Sequence, residues 1–208
     1  MPGNNFNTAV AFFERNDFKF QIHRAKSVVH MSVTGKNGTW AVFVRCDDQA
    51  DRFSIHSSAP VRVPEAKRQA VAEYLTRANW GMSIGNFELD FSDGEVRYKT
   101  SMDIDGIDLN ENLIGMTFAV NNMSMDRYLP GLMAVIYSDV KPADAVQKVE
   151  DTPAMPTSDE IETAVRSLLE GITESDLSDA GKQSQSADNG DSALSHIARL
   201  FRRRHGKQ

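Results

Sequence analysis

The chain has 208 residues, 40% of them hydrophobic, one cysteine and a net charge of −6 at pH 7. That length suits one domain with appendages or two small ones. No apolar run reaches 18 residues, and Met1-Pro2-Gly3-Asn4-Asn5 does not open a leader peptide. The sequence therefore predicts a cytoplasmic chain with no membrane span, and the single Cys46 excludes an internal disulfide or multi-cysteine metal site.

Asn7–Asn16 reads as a short helix with Val10, Phe12 and Phe13 on its apolar face and Asn16 as its stop. Strands follow over Phe18–Arg24, with Phe18, Phe20 and Ile22 on one side, and over Val28–Gly35. Lys36-Asn37-Gly38 reads as a turn in which Asn-Gly supplies positive φ. Thr39–Cys46 is apolar on both faces (Trp40, Val42, Val44 against Ala41, Phe43), which predicts a central strand. Arg52–Ser57 alternates Phe53 and Ile55 with polar residues, so one face should meet solvent.

Pro64 suits the first turn of the next helix. Val71, Tyr74, Leu75 and Ala78 form its buried stripe, and Asn79 or Gly81 ends it. Phe87, Leu89 and Phe91 alternate with Asn86, Glu88 and Asp90 as a half-buried strand. Asp93-Gly94 turns the chain, and Val96, Tyr98, Thr100 and Met102 point inward on the partner strand. The sheet-facing Trp40, Val42, Phe87, Leu89, Phe91 and Tyr98 are expected in one core. From Leu109 a long stripe runs through Ile114, Phe118, Met125, Leu129, Leu132, Met133 and Ile136. It keeps phase across Pro130, which predicts one kinked helix rather than two. Pro142 opens a short final element to about Val149.

Few residues suggest chemistry. Asp103, Asp105, Gly106 and Asp108 lack the spacing and final glutamate of a calcium hand, so they read as a connection in which Asp108 or Asn110 caps the next helix. His23, His30 and His56 lie on separate strands without acidic neighbours at ligand spacing. Cys46 ends a core strand and reads as a small apolar residue rather than a nucleophile. Gly81–Asn86 follows a helix and precedes a strand, the reverse of a phosphate loop. Met116, Met123, Met125 and Met133 read as core filling. No catalytic residue, metal ligand or cofactor site is expected.

Beyond residue 149 the composition shifts. Residues 1–149 hold 16 basic and 18 acidic side chains, residues 150–191 hold 2 and 11, and residues 192–208 hold 5 and none. The near-neutral body argues against nucleic-acid binding. Thr157-Ser-Asp-Glu160 is a capping box for a helix over Asp159–Glu170, within an acidic segment 150–172. Residues 173–191 read as a flexible linker. Residues 192–208 read as a basic amphipathic helix, with Leu194, Ile197, Leu200 and Phe201 on one side and Arg199, Arg202, Arg203 and Arg204 on the other. Such a helix suits weak contact with an anionic membrane or an acidic groove, including the chain's own acidic segment.

Three blocks carry a family resemblance: Arg77-Ala-Asn-Trp-Gly81, Ile84-Gly-Asn-Phe-Glu-Leu-Asp-Phe91 and Asp93-Gly-Glu-Val-Arg-Tyr-Lys99. A fourth is Met125-Asp-Arg-Tyr-Leu-Pro-Gly-Leu-Met133. Over about residues 6–149 the chain resembles the YbjN-like family, bacterial proteins grouped as sensory transduction regulators. Trp80 departs from the aromatic expected there and should still pack. The resemblance implies an α+β fold similar to type III secretion chaperones: a twisted antiparallel sheet with packed helices, often dimeric. It implies no enzyme activity, cofactor or catalytic residue.

The leading expectation is a non-catalytic protein-binding module, regulatory or chaperone-like, and a homodimer. The alternatives are a small-ligand protein or enzyme with a site between sheet and helices, and a membrane-surface adaptor acting through the C-terminal helix.

Overall fold

The computed structural model describes residues 4–151. Helix α1 spans Asn4–Arg15 and buries Phe6, Ala9, Val10, Phe12 and Phe13. Asn16 stops it, its amide donating to the Phe12 carbonyl at 2.8 Å. The next strand is shorter than its alternation predicts: β1 covers only Gln21–His23. Phe18 and Phe20 leave the sheet for a ring cluster. Phe18 meets Phe13 and Phe118 edge-on at 5.3 and 5.2 Å, and Phe20 meets Phe13 at 6.1 Å. Ring packing of this kind outweighs the few ladder bonds forgone.

Five more strands complete an antiparallel sheet: β2 (Val28–Thr34), β3 (Thr39–Asp47), β4 (Arg52–Arg62), β5 (Asn86–Leu89) and β6 (Glu95–Asp103), in the order β1-β2-β3-β4-β6-β5. With the helices this is an α+β fold. Trp40, Val42 and Val44 of the interior strand β3 are buried, as expected. β4 runs past its predicted end at Ser57. Its register with β6 breaks between Ser58 and Arg62, around Pro60, where a residue without an N–H is tolerated.

The β2–β3 turn differs in mechanism from its sequence signal. Neither Asn37 nor Gly38 has positive φ. Asp126 holds the turn instead, its carboxylate accepting from the Lys36 N–H at 3.1 Å and the Asn37 N–H at 2.7 Å. The Asn37 amide in turn donates to the Asp126 carbonyl at 2.9 Å.

Helix α2 spans Arg68–Trp80, after a 3-10 turn at Glu65–Lys67, and buries the expected Val71, Tyr74, Leu75 and Ala78. β5 ends at Leu89, which is only half-buried. Phe91 belongs to the following turn and is 49% exposed, not in the core. That turn is closed by the Gly94 N–H on the Asp90 carbonyl at 2.8 Å.

Helix α3 (Glu111–Tyr137) is one continuous helix that includes Pro130. Asn110 caps it, accepting from the Asn112 and Leu113 N–H groups at 3.1 Å each. Proline cannot donate to the carbonyl four residues back, at Asp126. That carbonyl is the one Asn37 satisfies. α3 lies on the sheet through a buried polar seam. The Asn121 amide donates to the Ile55 carbonyl and the Thr100 hydroxyl at 3.0 Å each and accepts from Ser57 at 2.5 Å. Asn122 accepts from the Trp40 indole at 2.9 Å. Helix α4 (Pro142–Glu150) packs on α2 and α3.

The helix expected over Asp159–Glu170, the linker and the basic C-terminal helix lie outside the described residues.

Candidate partner-binding site

The blocks that carry the family resemblance mostly build the fold. Asn79, in the last turn of α2, clamps the edge strand β5. Its carbonyl oxygen accepts from the Phe87 N–H at 2.7 Å, and its amide donates to the Phe87 carbonyl at 3.0 Å. One carboxamide thus pairs both backbone groups of an edge residue, as a neighbouring strand would. Gly85 has φ +75°, and a Cβ there would sit 2.6 Å from the Lys99 carbonyl. The Tyr98 hydroxyl donates to the Ile84 carbonyl in the same loop.

The 125–133 block forms a junction. Asp126 grips the β2–β3 turn. The Tyr128 carbonyl accepts from the Tyr74 hydroxyl at 2.8 Å. A Cβ on Gly131 would overlap that hydroxyl, so glycine is what lets Tyr74 reach α3. Burial first, and then the neighbouring Tyr128 and Glu150, raise the Tyr74 phenol and keep it protonated.

Two features of these blocks have no such architectural role. The first is Trp80, which does not pack: it is 93% exposed at the end of α2. Ile84, in the loop to β5, is 57% exposed, and half-buried Met82 lies between them in sequence. The α2 stripe shows why. Residues 71, 74, 75 and 78 share one face, and residue 80 falls about 200° from residue 78 at 100° per residue. Helical phase was the signal in the sequence that marked Trp80 as outward-facing. The Gly81 N–H on the Ala78 carbonyl, the Asn79 clamp and the Tyr98 bond tie the backbone to the fold on both sides of the projecting ring.

The second feature is polar. Glu88 on β5 bonds Arg97 at 2.6 Å and also Lys99, both on β6. Burial alone would raise Glu88, but hydrogen bonds from Lys99 and Arg97 outweigh it and hold the carboxyl below its usual range. His56 neighbours Lys99 across the ladder. Burial first, then Arg97, lowers its imidazole.

His23, His30 and His56 share this solvent-facing side of the sheet. His23 and His30 have ring centroids 6.4 Å apart, while Phe43 stands between His30 and His56. Cys46 is buried, and burial and then Asp48 push its thiol up to about 12. A thiol so held is protonated at neutral pH and is a poor nucleophile. Asp103 accepts from the Asp105 N–H at 3.0 Å, an ordinary loop contact before the Asn110 cap. Among the described residues no helix is long and apolar enough to cross a membrane. The residues expected to bind a partner or membrane, Leu194, Ile197, Arg199, Leu200, Phe201, Arg202, Arg203 and Arg204, lie outside the described residues.

Comparison with known proteins adds the family. The model of the YbjN family, described as "Putative bacterial sensory transduction regulator", matches residues 10–133. The crystal structure of YbjN from E. coli is similar at 12% identity and a TM-score of 0.47, covering 70% of this chain and 94% of that one. A search of curated proteins finds no match. With the family model spanning more than half of its residues, the chain belongs to the YbjN family.

Proposed function

We propose that this chain is a non-catalytic regulatory module that works by binding another protein, and that the partner docks on the shoulder formed by Trp80 and Ile84. The observation that carries this reading is the 93% exposure of Trp80 at the end of α2. A tryptophan held in water gains nothing for folding, yet tryptophan is among the side chains that contribute most when buried at an interface. The neighbouring residues of the same block are taken up with architecture, and Trp80 is not. Membership of a family described as regulators supports the same reading.

The test is site-specific photocrosslinking in a bacterial host. Ile84→p-benzoylphenylalanine is expected to give a discrete adduct, identifiable by mass spectrometry. The purified adduct partner should then bind wild type at least tenfold more tightly than Trp80→Ala, a loss of about 1.4 kcal/mol or more. Equal binding of the two proteins would remove the shoulder from the mechanism.

A further inference from the structure

The two edges of the sheet are finished differently. At the β5 edge the Asn79 carboxamide pairs the outward groups of Phe87. At the other end β1 covers only part of β2: Gln21 lies opposite His30 and His23 opposite Val28, and the ladder stops there. Residues 31–34 of β2 have β3 on one side and no described strand on the other.

Hydrogen-bond parity shows which backbone groups this leaves open. In an antiparallel pair alternate residues bond the neighbour, and those between them point the other way. The Gly35 N–H bonds the Gly38 carbonyl at 2.9 Å, and the Cys46 N–H bonds the Ser27 carbonyl at 3.1 Å. Both ends of the β2–β3 ladder therefore turn residues 27, 29, 31, 33 and 35 toward β3, and the even-numbered residues face away. β1 takes Val28 and His30, while the backbone N–H and C=O of Ser32 and Thr34 have no partner among the described residues. Both residues are exposed. They are two consecutive rungs, each offering a donor and an acceptor. The chain ahead of β1 does not fill them, because Phe18 and Phe20 are drawn into the ring cluster with Phe13 and Phe118.

The charge around this edge has one sign. Residues 18–46 hold Lys19, Arg24, Lys26, Lys36 and Arg45 and no aspartate or glutamate. Arg45 is answered by Asp47 at 3.6 Å. Lys19, Arg24, Lys26 and Lys36 are exposed, and no ion pair answers them among the described residues. Asp126, which reaches the β2–β3 turn, is taken up by the Lys36 and Asn37 N–H groups. Lys19 comes two residues before β1 and Lys36 two after Thr34, so they bracket the open rungs in sequence.

We infer that the β2 edge at Ser32 and Thr34 receives an extended acidic segment of a partner protein as an added strand. The open rungs supply the pairing, and the unanswered cations select the sign of the charge. Register sets the side-chain pattern. Residues opposite Ser32 and Thr34 lie on the face away from the helices, and the residue opposite Val33 points to the face on which Met31 and Val33 are buried. The segment therefore alternates acidic with apolar. A second copy of this edge would bring lysine against lysine, the device by which edges avoid self-pairing. A nucleic-acid backbone or a lipid surface brings anionic acceptors but no row of N–H donors for the Ser32 and Thr34 carbonyls. The β2 edge lies at the opposite end of the sheet from β5, and this inference stands or falls apart from the Trp80 shoulder.

Fluorescence anisotropy with the full chain tests it, at pH 7.5 and low salt, using a labelled peptide of about ten residues in which glutamate and valine alternate. Two rungs and a few ion pairs give weak binding, which a range to about 500 μM captures. Wild type is expected to bind, and hydrogen exchange at the Ser32 and Thr34 amides should slow in the complex. Ser32→Pro replaces the outward N–H with a ring. The β2–β3 ladder does not use that N–H, so the sheet should persist while binding weakens at least tenfold. Lys19→Glu with Lys36→Glu leaves the backbone unchanged and should also weaken binding at least tenfold and remove most of its salt dependence. The same peptide N-methylated at every glutamate should bind at least tenfold more weakly. Circular dichroism checks that each variant is folded, and Trp80→Ala should bind like wild type. A wild type that does not bind across the range overturns the proposal. So does binding that Ser32→Pro and the N-methylated peptide leave unchanged, which would make the patch a site for charge alone. Ser32 and Thr34 amides already protected without peptide would overturn it too, the edge then being held by the chain itself or by a second copy.

Discussion

Asn79→Ala is the sharpest test of how the shared blocks hold the fold. The side chain makes two hydrogen bonds, both to the partly buried backbone of Phe87. Each is worth about 1 kcal/mol net, and leaving the partly buried Phe87 N–H without a partner adds to the loss, while the Phe87 carbonyl keeps the Asn86 amide at 3.3 Å, so the variant should lose about 2–3 kcal/mol. At about 2–4 °C per kcal/mol for a chain of this size, the midpoint should fall by roughly 4–12 °C. Asn79→Asp keeps the acceptor for the Phe87 N–H but turns an oxygen toward the Phe87 carbonyl, so it should lose stability without losing that N–H bond. Equilibrium urea unfolding gives the energies, and amide exchange at Phe87 gives the mechanism. Exchange there should quicken sharply in Asn79→Ala and little in Asn79→Asp. A loss under about 0.5 kcal/mol, the size of an ordinary surface substitution, with Phe87 still protected, would refute the clamp.

Three further outcomes are expected. Gly131→Ala forces a methyl into the Tyr74 ring and hydroxyl and should cost about 1–3 kcal/mol or more; a neutral urea midpoint would show that the α2–α3 contact is looser than described. Trp40 is 2% exposed and Trp80 93%, so Trp80→Phe should blue-shift the emission and remove most acrylamide quenching, and Trp40→Phe should do the reverse; equal quenching of both single-tryptophan variants would contradict the burial. His56 is held below its ordinary 6.5 by burial and then Arg97, with Lys99 and Arg45 adding to the effect and Glu88 opposing it. The unfolded chain therefore takes up a proton as pH falls below about 6.5 while the folded chain resists, and stability drops across that window. His56→Gln should flatten the urea-midpoint difference between about pH 7.5 and 5.5, and an unchanged difference would assign it to other groups.

The sequence by itself determined the elements whose signal is local. The α2 stripe Val71-Tyr74-Leu75-Ala78, the Asn110 cap, the inward residues Val96, Tyr98 and Thr100, and the continuity of α3 through Pro130 all follow from period and capping chemistry. Each depends on residues a few positions apart, so the code is readable without tertiary knowledge. The blocks around Asn79, Phe87 and Tyr128 likewise identified the family. Only the tertiary structure decided the contacts between distant residues. Phe18 and Phe20 alternate like strand residues, but Phe118, a hundred positions later, draws them out of the ladder. Asn37 looked like a positive-φ turn residue and proved to be a partner for the carbonyl that Pro130 leaves free. Asn121 and Asn122 interrupt an apolar stripe and are buried because Ser57, Thr100, Ile55 and Trp40 satisfy them. Phe91 fits the strand alternation, yet the Asp90–Gly94 turn ends the strand before it and leaves the ring in water. Trp80 was expected to pack and stands in water, although helical phase alone points it outward; cross-strand neighbours such as His30, Phe43 and His56 meet only once strand register aligns β2, β3 and β4. Local periodicity fixes which side of an element a residue occupies. Which surface meets that side, or whether it stays in water, is set by the packing of the whole sheet and its helices.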